Sequence, residues 1–125
     1  MNLNFQEIID KLLNILPVEW KDLIFMAEYT SGSYGMRCYV SFVDTGYKDI
    51  MEIEGTSKVQ IVKTYKSINN DFQKCRAELE KDKCWHAVTI ILDRSGKFEA
   101  DFDYDSHEEK VLDYLKNWEK KYIGR

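Results

Sequence analysis

Proline, glycine and long apolar runs are scarce in this sequence. Its 125 residues include one proline and six glycines, and none of its segments has the composition of a flexible linker. No apolar run approaches the length of about twenty residues that crosses a bilayer, so we expect no membrane-spanning helix. Residues 1–7 lack the basic start and the apolar stretch of a signal peptide. These features predict one cytoplasmic domain over residues 1–125, without membrane association.

Motifs typical of metal binding and catalysis are also missing. Cys38, Cys75 and Cys84 form no Cys-x-x-Cys pair, and only His86 and His107 could add nitrogen ligands. We therefore expect reduced thiols and no metal site. The sequence also lacks a Gly-rich phosphate loop, a His-Glu metal-binding helix and a Ser or Cys nucleophile motif. This pattern predicts a protein that is not an enzyme and needs no cofactor.

The charge and the aromatic content indicate a protein partner. Lysines recur along one predicted helix, but acidic residues share that helix and the net charge is −4. Because proteins that bind nucleic acids usually present a basic face, we expect no direct contact with DNA or RNA. Aromatic residues make up 14% of the chain, and aromatic side chains often anchor protein interfaces.

Hydrophobic periodicity predicts eight elements. Apolar residues spaced three and four apart predict helices over Phe5–Leu16, after Gly55-Thr56-Ser57, and after Ser106, where Glu109 completes a capping box. The strands are predicted over Asp22–Thr30, Met36–Val43, Tyr47–Ile53, Trp85–Leu92 and Lys97–Tyr104. The order α-β-β-β-α-β-β-α predicts an α+β fold, with helices packed on one antiparallel sheet.

The same periodicity predicts which side of each later helix is buried. For the central helix the predicted stripe is Val59, Val62, Tyr65, Ile68, Phe72, Cys75 and Leu79. For the last helix it is Val111, Leu112, Leu115, Trp118, Tyr122 and Ile123.

The last predicted strand separates acidic from apolar side chains, because side chains alternate between the two faces of a strand. The core-facing set is predicted to be Phe98, Ala100, Phe102 and Tyr104. The opposite set is Glu99, Asp101, Asp103 and Asp105, which we call the acidic row. Between Asp93 and Glu109, seven acidic residues stand against two basic ones, so the negative charge of the chain is concentrated here.

Three explanations of the acidic row remain open. Its charge could protect a sheet edge from aggregation, or it could meet a basic partner. Alternatively, carboxylates within residues 99–105 could bind Mg²⁺ or Ca²⁺ in a metal-dependent hydrolase, which would also need a base and a positioned water. We predict partner contacts by the whole row, with Tyr104 and Trp85 as further candidates.

Several segments resemble the YezG-like antitoxins, a family of immunity proteins in bacterial polymorphic toxin systems. The resemblance begins with Leu16–Trp20, which follows the first predicted helix. It continues in a C-terminal block made of Trp85, Thr89–Asp93, Gly96–Phe98, Asp101–Asp105 and Trp118–Gly124. It covers essentially the whole chain, although residues 47–57 match no clear motif of the family.

The resemblance implies an antitoxin that neutralises a secreted toxin by protein–protein contact with the toxin's C-terminal domain. Many such toxins are nucleases exported by type VII systems, and a nuclease site holds phosphates with basic residues. The acidic row could occupy that site as a phosphate mimic. An adaptor domain without a toxin partner remains the alternative outside this class.

Overall fold

The computed structural model describes residues 3–124, so both ends of the predicted 1–125 domain lie outside the described residues. Its helices are α1 (Phe5–Leu13), α2 (Lys58–Ala77) and α3 (Val111–Tyr122). Its strands are β1 (Asp22–Thr30), β2 (Ser33–Phe42), β3 (Thr45–Asp49), β4 (Ala87–Asp93) and β5 (Phe98–Asp103). Short 3₁₀ turns follow β3 and α2. The predicted α+β class and order of elements are confirmed. No helix of the described residues has the length and apolar character needed to cross a membrane.

The five strands form one antiparallel sheet in the order β3-β2-β1-β4-β5. The central strand β1 pairs along its length with β2 on one side and β4 on the other. Its residues Leu23–Ala27 are all buried, because helices cover both faces of the sheet there. The strand therefore shows a continuous apolar run instead of an apolar–polar alternation.

The larger core lies between the sheet and the helices α1 and α2. Trp85, just before β4, is fully buried at its centre. Its ring lies edge-on to Phe72 and Phe102, with centroids 5.4 Å away in both cases, and 5.7 Å from Tyr29. Aromatic rings in these edge-to-face arrangements bury large areas and add electrostatic attraction. Trp85 thus joins α2, β1 and β5 into one cluster.

A smaller core lies on the opposite face, under α3. Trp118 of α3 packs there against Ile24, Met26 and Tyr39. At the side of this core, Arg37 Nη1 of β2 lies 2.6 Å from Glu119 Oε1 of α3. The apolar contacts and this ion pair hold α3 across the sheet face towards β5.

The third helix begins later than the capping box predicts. It starts at Val111, so Ser106 and Glu109 both precede it, and the capping-box prediction is wrong. The residues before the helix are held by other bonds, since the Ser31 N–H donates to the Glu108 carboxylate at 2.9 Å. This contact ties the loop before α3 to the turn between β1 and β2.

The predicted buried stripes of α2 and α3 are partly wrong. Val59 and Leu112 are 68% and 75% exposed, and Val62 is exposed as well. The buried row of α2 is Ile61, Thr64, Ile68, Phe72 and Cys75. Ile68, Phe72 and Cys75 are thus buried as predicted, and the two rows differ in the first turns of the helix. Both rows keep helical spacing, so the position of the helix over the sheet decides which residues of those turns are buried.

Candidate interaction groove between β5 and α3

A groove of about 500 Å³ separates the edge strand β5 from the helix α3. Four of the six predicted contact residues line it, namely Asp101, Asp103, Tyr104 and Asp105. From the helix side it is lined by Tyr114, Asn117, Trp118, Lys121 and Tyr122. The structure thus brings most of the acidic row together with an aromatic wall.

Strand alternation places the acidic side chains in the groove. Ala100 and Phe102 pack against the larger core, so the side chains of Asp101 and Asp103 lie on the opposite face of the strand, as the sequence predicts. On that face they line the groove beside α3. The alternation ends with the strand at Asp103. Tyr104 lies beyond it and is 55% exposed, so its predicted place in the core is wrong.

Three other predicted residues lie in different surroundings. Phe98, at the first position of β5, touches Phe5 of α1 but is 42% exposed, so its predicted core position is only partly realised. Glu99 is exposed and lies outside the groove, beside Asp22 and Lys97. Trp85 is fully buried, so its ring would reach a partner only if the core opened.

Two carboxylates of the acidic row are oriented by bonds within the chain. The Tyr122 hydroxyl donates to Asp101 Oδ2 at 3.0 Å, and His107 Nε2 lies 2.8 Å from Asp103 Oδ2. The other oxygen of Asp103 accepts from the Asp105 N–H at 2.9 Å. A carboxylate has about four acceptor positions, so both groups keep capacity for donors from a partner. These hydrogen bonds fix the direction in which the remaining acceptor positions of Asp101 and Asp103 point.

Aromatic side chains of α3 form much of the groove wall. The His107 ring stacks on Tyr114 with centroids 4.0 Å apart. Burial, helped by the nearby Asp103 carboxylate, raises the pKa of Tyr114 to about 12. Burial and the hydrogen bond with Asp101 also raise the pKa of Tyr122. Both phenols therefore remain protonated near neutral pH and add no negative charge of their own.

The local charge suits a cation. Three carboxylates line the groove against the ammonium group of Lys121, whose Nζ lies 5.1 Å from the centre of the Tyr122 ring. Carboxylates beside aromatic faces bind a guanidinium or ammonium group both by ion pairing and by cation–π attraction. A lysine or arginine side chain of another protein fits this description.

The metal-site explanation of the acidic row finds no ligand set in residues 3–124. Within that part of the chain, no group of three or more His, Cys, Asp or Glu side chains lies close enough to hold an ion. Instead, Asp101 and Asp103 bond to Tyr122 and His107. The metal-dependent hydrolase hypothesis therefore has no supporting geometry in these residues. The oriented carboxylates can instead bind and orient a basic group.

The helix side of the groove was missed from the sequence. Tyr114, Asn117 and Lys121 are spaced three and four apart on α3, and Tyr122 follows directly, which shows only that they lie on one broad side of the helix. The local sequence does not indicate that this side of α3 faces β5. His107 carried a weak signal, because it follows Asp103 by four residues across a turn.

A hydrogen bond under the groove gives a stability prediction. The buried Trp118 Nε1–H donates to Thr89 Oγ1 at 2.9 Å. Thr89→Val replaces the hydroxyl by a methyl group of similar size and leaves the indole N–H unpaired. We expect the free energy of unfolding in urea to fall by about 1–3 kcal/mol. The control Thr45→Val, at an exposed site, should change it by less than about 0.5 kcal/mol. Equal values for the two variants would show that this bond does not hold α3.

Comparison with known proteins identifies relatives over the whole chain. A family model described as "Immunity protein YezG-like" matches residues 1–125. A protein of Bacillus subtilis (strain 168) named immunity protein YezG is 28% identical over 129 residues, which cover 96% of this chain and 85% of that protein. A protein of the same name from Bacillus spizizenii (strain ATCC 23059 / NRRL B-14472 / W23) is 24% identical over 107 residues, or 81% of this chain and 66% of that protein. The family resemblance seen in the sequence is confirmed.

Proposed function

The chain belongs to the family of YezG-like immunity proteins, and from that premise we propose that it neutralises a cognate toxin by binding it at the groove between β5 and α3. An immunity protein acts on a toxin partner, and the groove brings three carboxylates together with aromatic side chains. The proposed partner is the C-terminal domain of the toxin. The proposed place of the encounter is the cytoplasm of the producing cell.

The observation that carries the proposal is the set of oriented carboxylates in the groove. Asp101 and Asp103 are held by Tyr122 and His107, so their direction is set before a partner arrives. Preorganised groups lose little conformational entropy on binding, which favours affinity. A field of one sign also attracts an oppositely charged partner and speeds the encounter.

The proposed target is a nuclease toxin. A nuclease holds its substrate through lysine and arginine side chains that contact phosphates. The carboxylates of β5 are regularly spaced. Like the phosphates of a nucleic acid, they present negative charge to these lysine and arginine side chains. In this proposal the chain occupies the basic substrate site and excludes the nucleic acid, and it does so without breaking or forming covalent bonds.

The experiment that tests the function uses the toxin domain encoded beside the gene of this chain, here called the cognate toxin domain. Purified chain is titrated into that domain with labelled DNA and RNA as substrates. We expect nucleic-acid cleavage to end at one equivalent of chain, and the association rate to fall as salt is raised, because salt screens exposed charges.

Three outcomes separate the parts of the proposal. The absence of a complex at micromolar concentrations would contradict toxin binding. Inhibition by far less than one equivalent would indicate catalysis by the chain and contradict action by contact. If the toxin domain cleaves neither DNA nor RNA but is still inhibited, the nuclease target is wrong and the antitoxin function stands.

A further inference from the structure

We propose that the toxin docks by adding a β-strand to the free edge of β5, which would extend the sheet to six strands. This inference rests on the proposed function, because the occupant is an extended segment of the cognate toxin domain. It adds the manner of binding, namely backbone pairing at the edge together with basic side chains in the groove. Main-chain hydrogen bonds of this kind supply affinity, and the side-chain pockets beside them supply specificity.

The outer edge of β5 has no strand beside it among the described residues. β5 is last in the sheet order, and among the described strands it pairs with β4. The Asp93 N–H donates to the Lys97 carbonyl at 3.0 Å, which makes these residues a directly bonded pair. In an antiparallel ladder the bonded pairs alternate along the strand. The N–H and C=O groups of Phe98, Ala100 and Phe102 therefore point away from β4.

The two edges of the sheet differ in their readiness to pair. The other edge, β3, has five residues, and its register with β2 shifts between Val40 and Phe42. A short edge with an irregular register discourages the addition of a strand. β5 keeps one register with β4 at six consecutive positions, from Phe98 to Asp103. Only the β5 edge offers a regular template within residues 3–124.

The side chains around this edge define the chemistry of the incoming strand. Neighbouring strands lie about 4.8 Å apart, so every second side chain of the new strand would stand beside Asp101 and Asp103 at the mouth of the groove. Lysine or arginine at those positions complements the carboxylates. The remaining side chains would lie on the opposite face near the exposed ring of Phe98, where apolar groups fit. The expected segment alternates basic and apolar residues.

Ala100→Pro tests the backbone pairing. Because the Ala100 N–H points away from β4, proline there removes a donor that the partner needs and leaves the β4–β5 ladder intact. We expect affinity for the cognate toxin domain to fall at least tenfold. The matched control Ala100→Ser keeps the N–H at a similar size and should bind as the native chain does. The thermal midpoint of each variant checks its folding.

Residue-resolved amide exchange on the native chain gives a second measurement that needs no variant. In the free chain, the amides of Glu99 and Asp101 should exchange slowly and those of Phe98, Ala100 and Phe102 rapidly. In the complex with the cognate toxin domain, the latter three should become slow. New protection at these three amides supports strand addition even if the proline variant fails to fold.

The outcomes distinguish this inference from the function on which it rests. Full affinity of Ala100→Pro, or a complex without new protection at the three amides, overturns strand addition. If Asp101→Asn with Asp103→Asn still weakens that complex, the groove remains the binding site and the proposed function stands. If the native chain forms no complex with the cognate toxin domain, both proposals are overturned.

Discussion

Asp101→Asn combined with Asp103→Asn is expected to weaken binding of the cognate toxin domain about hundredfold. Close charge pairs across an interface are worth roughly 1.5 kcal/mol or more each, and every 1.4 kcal/mol is about tenfold in affinity. Asparagine keeps an amide oxygen that can accept from Tyr122 and His107, so the groove should keep its shape. Isothermal titration calorimetry measures the affinity, and urea denaturation checks the fold.

The matched control for that double change is Glu52→Gln with Glu54→Gln. Both glutamates are exposed and lie in the segment after β3, at the opposite edge of the sheet from β5. The control changes the net charge of the chain by the same amount as the asparagine variant. It should leave the affinity within about twofold of the native value, because exposed charges far from the contact are screened. The double variant Asp101→Lys with Asp103→Lys should abolish the complex, since it places positive charges opposite the basic partner. Equal affinities of the asparagine and control variants would refute the acidic groove as the contact.

Trp85→Ala is expected to lower the free energy of unfolding by about 3–5 kcal/mol. The indole is fully buried and packs against Tyr29, Phe72 and Phe102, so its removal leaves a cavity between α2 and the sheet. A domain of this size is stable by only about 5–15 kcal/mol, so the variant should be close to unfolding at 37 °C. Urea denaturation followed by circular dichroism measures the change.

Trp85→Phe separates a core role from a contact role. Phenylalanine refills much of the cavity, so the free energy of unfolding should fall less than in the alanine variant. The folded variant should bind the cognate toxin domain as the native chain does. Weakened binding at unchanged stability would show that Trp85 contacts the toxin, against its buried position in the free chain.

The parts of the fold that the sequence predicted well are those set by local chemistry. The bounds of β1 were predicted at Asp22–Thr30 and observed there, because a dense apolar run precedes the Ser31-Gly32 turn. The second helix was predicted to follow Gly55-Thr56-Ser57, and α2 begins at Lys58 with Ser57 as its N-cap, whose side chain accepts from the Gln60 N–H. At these two places the local turn and capping residues coincide with the observed limits of the element.

The errors arose where two local patterns were equally good. Ser106 and Glu109 have the spacing of a capping box, but the bond between Glu108 and Ser31 and the contact of His107 with Asp103 hold this stretch before the helix. In α2, the rows containing Val59 and Ile61 both have helical spacing, and contact with the sheet selects the second. In each case a long-range contact chose between local alternatives.

The candidate site divides in the same way. The acidic row and its separation from Ala100 and Phe102 followed from a period of two, and the structure keeps that separation through Asp103. The sequence could not place Tyr104 at an exposed strand end or Trp85 in the core, because aromatic residues occur in both settings.

By itself, the sequence determined the α+β class, the order of the elements, the family and the concentration of acidic charge in one strand, because each depends on residue type and short-range spacing. The tertiary structure decided that β5 lies at an edge of the sheet, that α3 forms the second wall of the groove and that Tyr122 and His107 orient the carboxylates. Those features depend on which surfaces pack together, and packing is a property of the whole chain that no local spacing encodes.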